Sequence, residues 1–455
     1  MSGSRKAGSS CIAAQSTWVS FPAVRLAIVG AGPAGLATLR ALTARGFDAV
    51  AFERRPCVGG VWALRDDERP TAAYRSLHLI TSRDRTEYGE LPMPDGTPDY
   101  PSRDAVGRYL EAYAERFGLL ERIRLGDGVA SATRTDEGWE LELESGVRER
   151  FDMLVVANGH NEEARWPDPP YPGEFDGRQL HALDYAEADE FRGQNVLVVG
   201  MGNSAMDIAT DISLVADRTY LSARHGTWVI PKRLLGQPAD QIIKPWVAVH
   251  VPWQIRQPLS QMLLRLTVGP PERYGLPEPT RGLFQDHPTI TDTVLSRISH
   301  GELTPKPGIS ALAPGSVAFT DGSEEPVDAI VWCTGYRVSM PFLDEALTGP
   351  DPKELPLYKR IFHLDCPDLF FIGLMQSTGS AFPIVERQAQ ILAEHLAGQW
   401  HLPSASEQRR DCDRRRRSAL ARWGEHGRPV MRVDFDRFMH ELGRELERGR
   451  ARAAA

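Results

Sequence analysis

Gly30-Ala31-Gly32-Pro33-Ala34-Gly35 and Gly200-Met201-Gly202-Asn203-Ser204-Ala205 are the stretches whose residue types and spacing could first do chemistry. Glycines so spaced let backbone N–H groups approach an anion, and a helix opening directly behind them adds its positive dipole end. In the first stretch Gly30 allows the tight turn, Gly32 the close approach to a pyrophosphate, and Gly35 the packing of helix on strand. Pro33 and Ala34 open the helix between them. Glu53 stands about twenty residues on, where a carboxylate accepts hydrogen bonds from ribose hydroxyls. The second stretch ends in Ala205, a tolerated variant of the same fingerprint. No acid closes the strand that follows it. Ala223-Arg224-His225 stands there instead, and an arginine favours the 2′-phosphate of NADP over the 2′-hydroxyl of NAD.

A second signal separates the two sites. After Glu53 the chain reads Arg54-Arg55-Pro56-Cys57-Val58-Gly59-Gly60-Val61-Trp62. A Gly-Gly pair so soon after the acid lets a loop lie flat against the bulky second portion of a dinucleotide, which in flavoproteins is the isoalloxazine of FAD. One site for FAD and one for NADPH in a single chain argue for electron transfer between them.

The elements that must position these turns are legible as periodicity. Apolar runs at 24–29 and 195–199 precede the turns, helical segments at 36–42 and 206–215 follow, and strands at 49–52 and 218–222 complete two βαβ units. From Gly138 the period changes to two: Trp139, Leu141 and Leu143 alternate with acids, Ser145-Gly146 turns the chain, and 151–156 reads as one buried strand ending at Ala157-Asn158-Gly159. The same device recurs at Val317 and Phe319, the Asp321-Gly322 turn, and a run at 328–332 leading into Cys333-Thr334-Gly335-Tyr336. The two hairpins bracket residues 160–325. The expected fold is therefore α/β, with two nested Rossmann-like dinucleotide-binding domains, the FAD domain interrupted by the NADPH domain. A disordered leader is expected at 1–21. The opening segment of the FAD-binding domain is expected at 22–160, and the NADPH-binding domain with a helical excursion at 161–324. The closing segment of the FAD-binding domain, with C-terminal helices, is expected at 325–455. Within the excursion, 246–253 and 262–266 are apolar enough to line a tunnel or to pack as helices. At 102–117 a Ser102 cap precedes Val106, Tyr109, Leu110, Tyr113 and Phe117 at helical spacing, a core-packing pattern.

Composition narrows the class. A formal net charge of −8 leaves no footprint for nucleic acid. The five cysteines, Cys11, Cys57, Cys333, Cys366 and Cys412, are scattered, odd in number and without CxxC spacing. They indicate neither a disulfide framework nor a metal site, and a reduced, cytoplasmic setting is the simplest reading. A disulfide reductase, which shares nested architecture, would need a redox cysteine pair after the Gly-Gly loop, where only Cys57 stands. The leader lacks the apolar core of a signal peptide, and no run is long enough for a transmembrane segment. The arginine-rich stretch 409–417 reads as a solvated helix face.

Taken in order, Gly30 to Gly35, Glu53, Gly59-Gly60-Val61-Trp62, Phe175-x-Gly177-xxx-His181-xxx-Tyr185, Gly200-x-Gly202-Asn203-Ser204-xx-Asp207 and Thr334-Gly335-Tyr336 resemble the flavin-containing monooxygenases, the class B single-component flavin enzymes. The likeness covers about residues 22–400, and around 267–310 it is similar to bacterial members and plant YUCCA-type members. Phe175, Gly177, His181 and Tyr185 form its most specific element, because neighbouring Baeyer–Villiger enzymes typically end that string in Trp. The resemblance implies that NADPH reduces FAD, that reduced flavin takes up O2 as a C4a-hydroperoxide, and that one oxygen passes to nitrogen or sulfur of a small-molecule substrate. Carbonyl oxygenation, or release of H2O2 as an NADPH oxidase, are the alternatives. It further implies that Gly30, Gly32, Pro33, Ala34, Gly35, Glu53, Gly60, Val61 and Trp62 serve FAD, that Gly200, Gly202, Asn203, Ser204, Asp207 and Arg224 serve NADPH, and that Thr334 and Gly335 belong to the cofactor sites. A homodimer is an assembly the sequence allows. One departure stands out. Members commonly carry an Asn within the segment matching 78–82, near flavin and nicotinamide, and Ile80 stands there without donor or acceptor. The adjacent hydroxyls of Thr81 and Ser82 are then the candidate catalytic groups, with Thr81 also beside FAD.

Overall fold

The structure is a computed structural model that describes residues 24–64, 70–286, 289–425 and 427–455. The expected leader, with Cys11, lies outside the described residues. Strand β1 (Arg25–Val29) is buried from Leu26 onward, as a central strand covered on both faces must be. The chain continues through α1 (Pro33–Thr43), β2 (Asp48–Glu53), α2 (Arg103–Arg116), β3 (Ile123–Leu125) and β4 (Met153–Val156). Pro33 takes the first turn of α1, where its missing N–H costs nothing. The Ser102 hydroxyl accepts the Ala105 N–H and caps α2, and Val106, Tyr109, Leu110 and Tyr113 are buried as the spacing demands.

A second unit follows: β5 (Arg178–His181), β6 (Asn195–Val199), α3 (Asn203–Ile212), β7 (Arg218–Ser222), β8 (Thr304–Lys306) and β9 (Ala329–Trp332). Its five strands lie in the order β8-β7-β6-β9-β5, all parallel. The chain then returns to the first sheet with β10 (Leu357–Tyr358), β11 (Phe362–His363) and β12 (Leu369–Phe371), giving the order β10-β11-β12-β4-β1-β2-β3. A later helix, α5 (Phe382–Leu396), packs on α1. The fold is thus two nested α/β domains, the inner with an all-parallel sheet and the outer with a parallel sheet extended by the antiparallel strands β10 and β11.

Two boundaries differ from expectation. The run 151–156 is two strands in two sheets: Arg148–Phe151 closes an antiparallel sheet with Val129–Thr135 and Gly138–Leu143, while Met153–Val156 joins β1. Asp152 makes the break, its carboxylate accepting the Arg25 N–H at 2.7 Å. The expected return to the FAD domain at 325 is also too early. Strand β9 hydrogen-bonds to β6 and β5 and so belongs to the second sheet. The chain crosses between domains at Glu163–Ala164 and Tyr336–Arg337, which pair as a two-stranded antiparallel ribbon.

The helical excursion contains Pro245–His250 and α4 (Trp253–Thr267). Trp246, Met262 and Leu266 are exposed, whereas Ala248 of the 246–253 run is buried and lines a cavity. No described helix is long and apolar enough to cross a membrane.

Candidate functional site

At the carboxyl ends of β1, β2 and β4, where open α/β sheets bind ligands, lies a cavity of about 190 Å³. Gly30, Gly32, Pro33, Ala34, Glu53, Gly60, Val61 and Trp62 all line it. Gly35 lies beneath them: a Cβ there would come 1.9 Å from the Gly30 carbonyl oxygen. Gly30 itself has φ +101°, and a Cβ on Gly60 would sit 3.0 Å from Gly32 Cα, so the two loops touch backbone to backbone. This is a cradle only glycines can build, and it fits the pyrophosphate and flavin ends of FAD.

Glu53 is buried. Its Oε2 accepts the Ala31 N–H at 2.9 Å and its Oε1 the Arg55 N–H at 3.0 Å. The carboxylate therefore fixes the glycine turn, and each oxygen keeps a lone pair for a ribose hydroxyl. Hydrogen bonds to a charged group contribute about 1.5–3 kcal/mol each. Glu53→Ala is expected to lower FAD occupancy at least about tenfold, read from the flavin-to-protein absorbance ratio; full occupancy would remove Glu53 from the site.

Several lining groups escaped sequence reading. Asn158, His160 and Asn161 follow β4, and Gly373, Ala381 and Phe382 come from the far end of the chain. The glycine ending 157–159 was their only local signal. His160 Nε2 lies 2.9 Å from the Met375 carbonyl and Nδ1 2.8 Å from the Arg428 guanidinium. Arg428 can only donate, so Nδ1 accepts and Nε2 carries the proton. Burial, aided by the Arg428 cation, pushes the His160 pKa down to about 4 from 6.5. A depressed histidine contributes stability above its unfolded pKa and loses it as pH falls. Thermal stability is expected to drop between pH 6.5 and about 4, less steeply in Arg428→Met; identical profiles would refute the coupling.

The second fingerprint opens α3. Gly200 has φ +137°, and a Cβ there would lie 2.6 Å from the Cys333 carbonyl, whereas Gly202 faces open space and is exposed. Arg224 is exposed at the end of β7, able to reach a 2′-phosphate. Asn203 Oδ1 accepts the Ile290 N–H at 2.7 Å, and Ser204 is half-buried. The Asp207 carboxylate accepts the Tyr74 hydroxyl at 3.1 Å. Burial raises the Asp207 pKa to about 6. It joins a clamp between domains: Tyr185, from the family string, and Ser76 both donate to Asp211 Oδ2, at 2.6 and 2.7 Å.

His181 lies at the crossing ribbon rather than at a reacting centre. Its Nδ1 accepts the Leu183 N–H at 3.1 Å, and its ring faces Trp166 and Tyr336 at 5.9 and 5.3 Å. Phe175 packs against the second sheet, and Gly177 leaves room for the Phe175 ring. Thr334 and Gly335 bond to the Arg165 backbone across the ribbon. Neither Thr81 nor Ser82 lines the FAD cavity. The loop turns the Thr81 hydroxyl onto Thr86 at 2.9 Å and gives the Ser82 N–H and hydroxyl to Asp240 Oδ2 at 2.7 and 3.0 Å.

Asp240 leads to a second chamber of about 170 Å³. Its walls include Trp228, Ile230, Leu283, Phe284 and Ile290, with Thr378, Gly379 and Ser380. Ile290 ties it to Asn203 of the second fingerprint, and Ser380 directly precedes Ala381 of the FAD cavity. The chamber thus adjoins residues of both dinucleotide sites.

Fold and sites together define a flavoprotein with one dinucleotide domain nested in another. The chain belongs to the flavin-binding monooxygenase-like family, whose model matches residues 23–449. It is 31% identical over 451 residues to flavin-containing monooxygenase 2 of Homo sapiens, covering 93% of this chain and 83% of that one. It is 32% identical over 438 residues to flavin-containing monooxygenase 5 of Homo sapiens, covering 92% and 82%. Among solved structures it resembles S-allyl-L-cysteine S-oxygenase from Allium sativum, with a TM-score of 0.69, 24% identity, and 93% and 88% of the chains covered. The NADP+-bound cyclohexanone monooxygenase from Rhodococcus sp. Phi1 shares the fold with a TM-score of 0.69 at 16% identity, covering 94% and 98%. The chain is a flavin-dependent monooxygenase that uses FAD and NADP(H).

Proposed function

We propose that this enzyme transfers one oxygen atom from O2 to the nitrogen or sulfur of a small molecule, at the expense of NADPH. The observation that carries the reading is a chamber that adjoins both fingerprint-bearing domains, its open surface mostly apolar and its wall also carrying charged side chains. Such a space can hold a small molecule with a soft nucleophilic nitrogen or sulfur against flavin while excluding water. The overall reaction balances as substrate, O2, NADPH and H+ giving the N- or S-oxide, NADP+ and water. FAD, when bound, supplies hydride acceptance and oxygen activation.

The chain's own residues bind and orient. Gly30, Gly32, Gly60 and Glu53 hold the FAD backbone; Gly200, Gly202 and Arg224 hold NADPH. Thr81 and Ser82 act as positioning residues, the latter anchoring Asp240. Asp207 and Tyr185 act through the interdomain clamp. Supporting the N- and S-oxygenation reading, curated relatives of about this identity are named N-oxide-forming dimethylaniline monooxygenases. The test is turnover with NADPH and labelled O2 on a panel of tertiary amines and thioethers. One labelled oxygen in product per NADPH is expected. Stoichiometric H2O2 with no oxygenated product would make the protein an NADPH oxidase, and labelled ester from ketones alone would move it to carbonyl oxygenation.

A further inference from the structure

The chamber holds more charge than an apolar substrate needs. Most of that charge is internally matched: Arg85 grips Asp436 at 2.8 and 2.9 Å, and Asp286 accepts from Arg432 at 3.0 Å. Arg422 donates twice to Asp434 Oδ2 at 3.2 and 3.3 Å. Two groups are left over, and they have opposite signs. Asp240 Oδ2 accepts only the neutral Ser82 donors, and its Oδ1 is buried with no hydrogen-bond partner among the described residues. Arg256 is 7% exposed. Its Nε donates to the Val251 carbonyl, and its guanidinium lies over the Phe284 ring. Its Nη2 is buried with no hydrogen-bond partner among the described residues. The acid nearest Arg256, Asp434, stands 3.9 Å away and is already shared with Arg422.

A carboxylate oxygen and a guanidinium nitrogen that are buried without a hydrogen-bond partner are each costly. A ligand that supplies both partners removes both costs at once. We propose that the chamber takes a small zwitterion, carrying an ammonium for Asp240 and a carboxylate for Arg256, with its oxidisable sulfur or nitrogen beyond them; an α-amino-acid thioether is the simplest case. The inference rests on the monooxygenase reading above. A neutral carboxamide, such as that of nicotinamide, would bond the same two atoms but leave both charges uncompensated, so the zwitterion is favoured.

The experiment titrates the FAD-loaded, NADPH-free enzyme with S-methyl-L-cysteine, its N-acetyl derivative, its methyl ester and ethyl methyl sulfide, following the flavin absorption spectrum. The zwitterion is expected to bind at least about tenfold more tightly than the other three. Asp240→Asn is expected to erase the preference over the N-acetyl derivative, and Arg256→Met the preference over the ester. Flavin content verifies that each variant is folded, and the wild-type series decides the matter if one is not. Equal binding of all four ligands overturns the proposal, as does a rise in KM for NADPH in both variants with ligand preference intact. Because binding is read without turnover, tight zwitterion binding alongside pure H2O2 production would sink only the oxygenation reading. Oxygenation of ethyl methyl sulfide without zwitterion preference would sink only this one.

Discussion

A Gly35→Ala protein is expected to lose flavin and stability together. The added methyl would meet the Gly30 carbonyl oxygen at 1.9 Å, inside any permissible contact. That oxygen is backbone, in a residue whose own φ of +101° already restricts it. No rotamer change relieves the overlap, so helix α1 must move off β1, and the pyrophosphate turn moves with it. Overpacking of this kind costs about 1–3 kcal/mol or more, and at about 2–4 °C per kcal/mol for a domain of this size Tm should fall by roughly 2–12 °C. The matched control is Gly202→Ala. Its φ is −82° and nothing lies within 4 Å, so Tm should hold within about 1 °C while KM for NADPH rises. Scanning fluorimetry with flavin absorbance reads both. A flavin-replete, equally stable Gly35→Ala protein would show that α1 does not depend on this close approach.

Arg224→Ala is expected to separate the two nicotinamide cofactors. The Arg224 side chain leaves β7 exposed, its Cγ lying over Gly308. An arginine–phosphate hydrogen bond is charge-assisted and contributes about 1.5–3 kcal/mol, which corresponds to about ten- to a hundredfold in affinity. KM for NADPH should rise by that factor while KM for NADH stays within about threefold. Comparable losses with both cofactors would show that Arg224 does not read the 2′-phosphate.

How far the residues announced all this depends on whether the information is local. The glycine turns, Glu53 and the strands before them are local, because φ and backbone approach are decided within a few residues. The Phe175 to Tyr185 string was legible as a pattern but not as a place: only the fold shows Tyr185 bonded to Asp211 and His181 packed beside the crossing ribbon. Periodicity marked 151–156 as extended, yet it could not show that Asp152 hands the chain from one sheet to another. Strand β9 misled for a related reason, since an apolar run ending in glycine looks alike in either domain. The chamber was illegible. Asp240, Arg256, Phe284, Ser380 and Asp434 come from distant segments, and nothing in the types or spacing of each predicts their meeting.

The nesting also dictates an order of synthesis. On the ribosome β1, β2 and β4 emerge early, but the outer edge of β4 stays open until β12 is made, residue 369 against 156. At about 5–20 residues per second that interval is roughly 10–40 s. Through it the nascent strand offers bare N–H and C=O groups to any passing chain. The inserted unit suffers no such delay, since β5 to β9 form one continuous stretch that completes its own sheet before translation of the outer unit resumes. The flavin therefore meets a finished cradle only after Gly373, Ala381 and Phe382, which complete its lining, have been made.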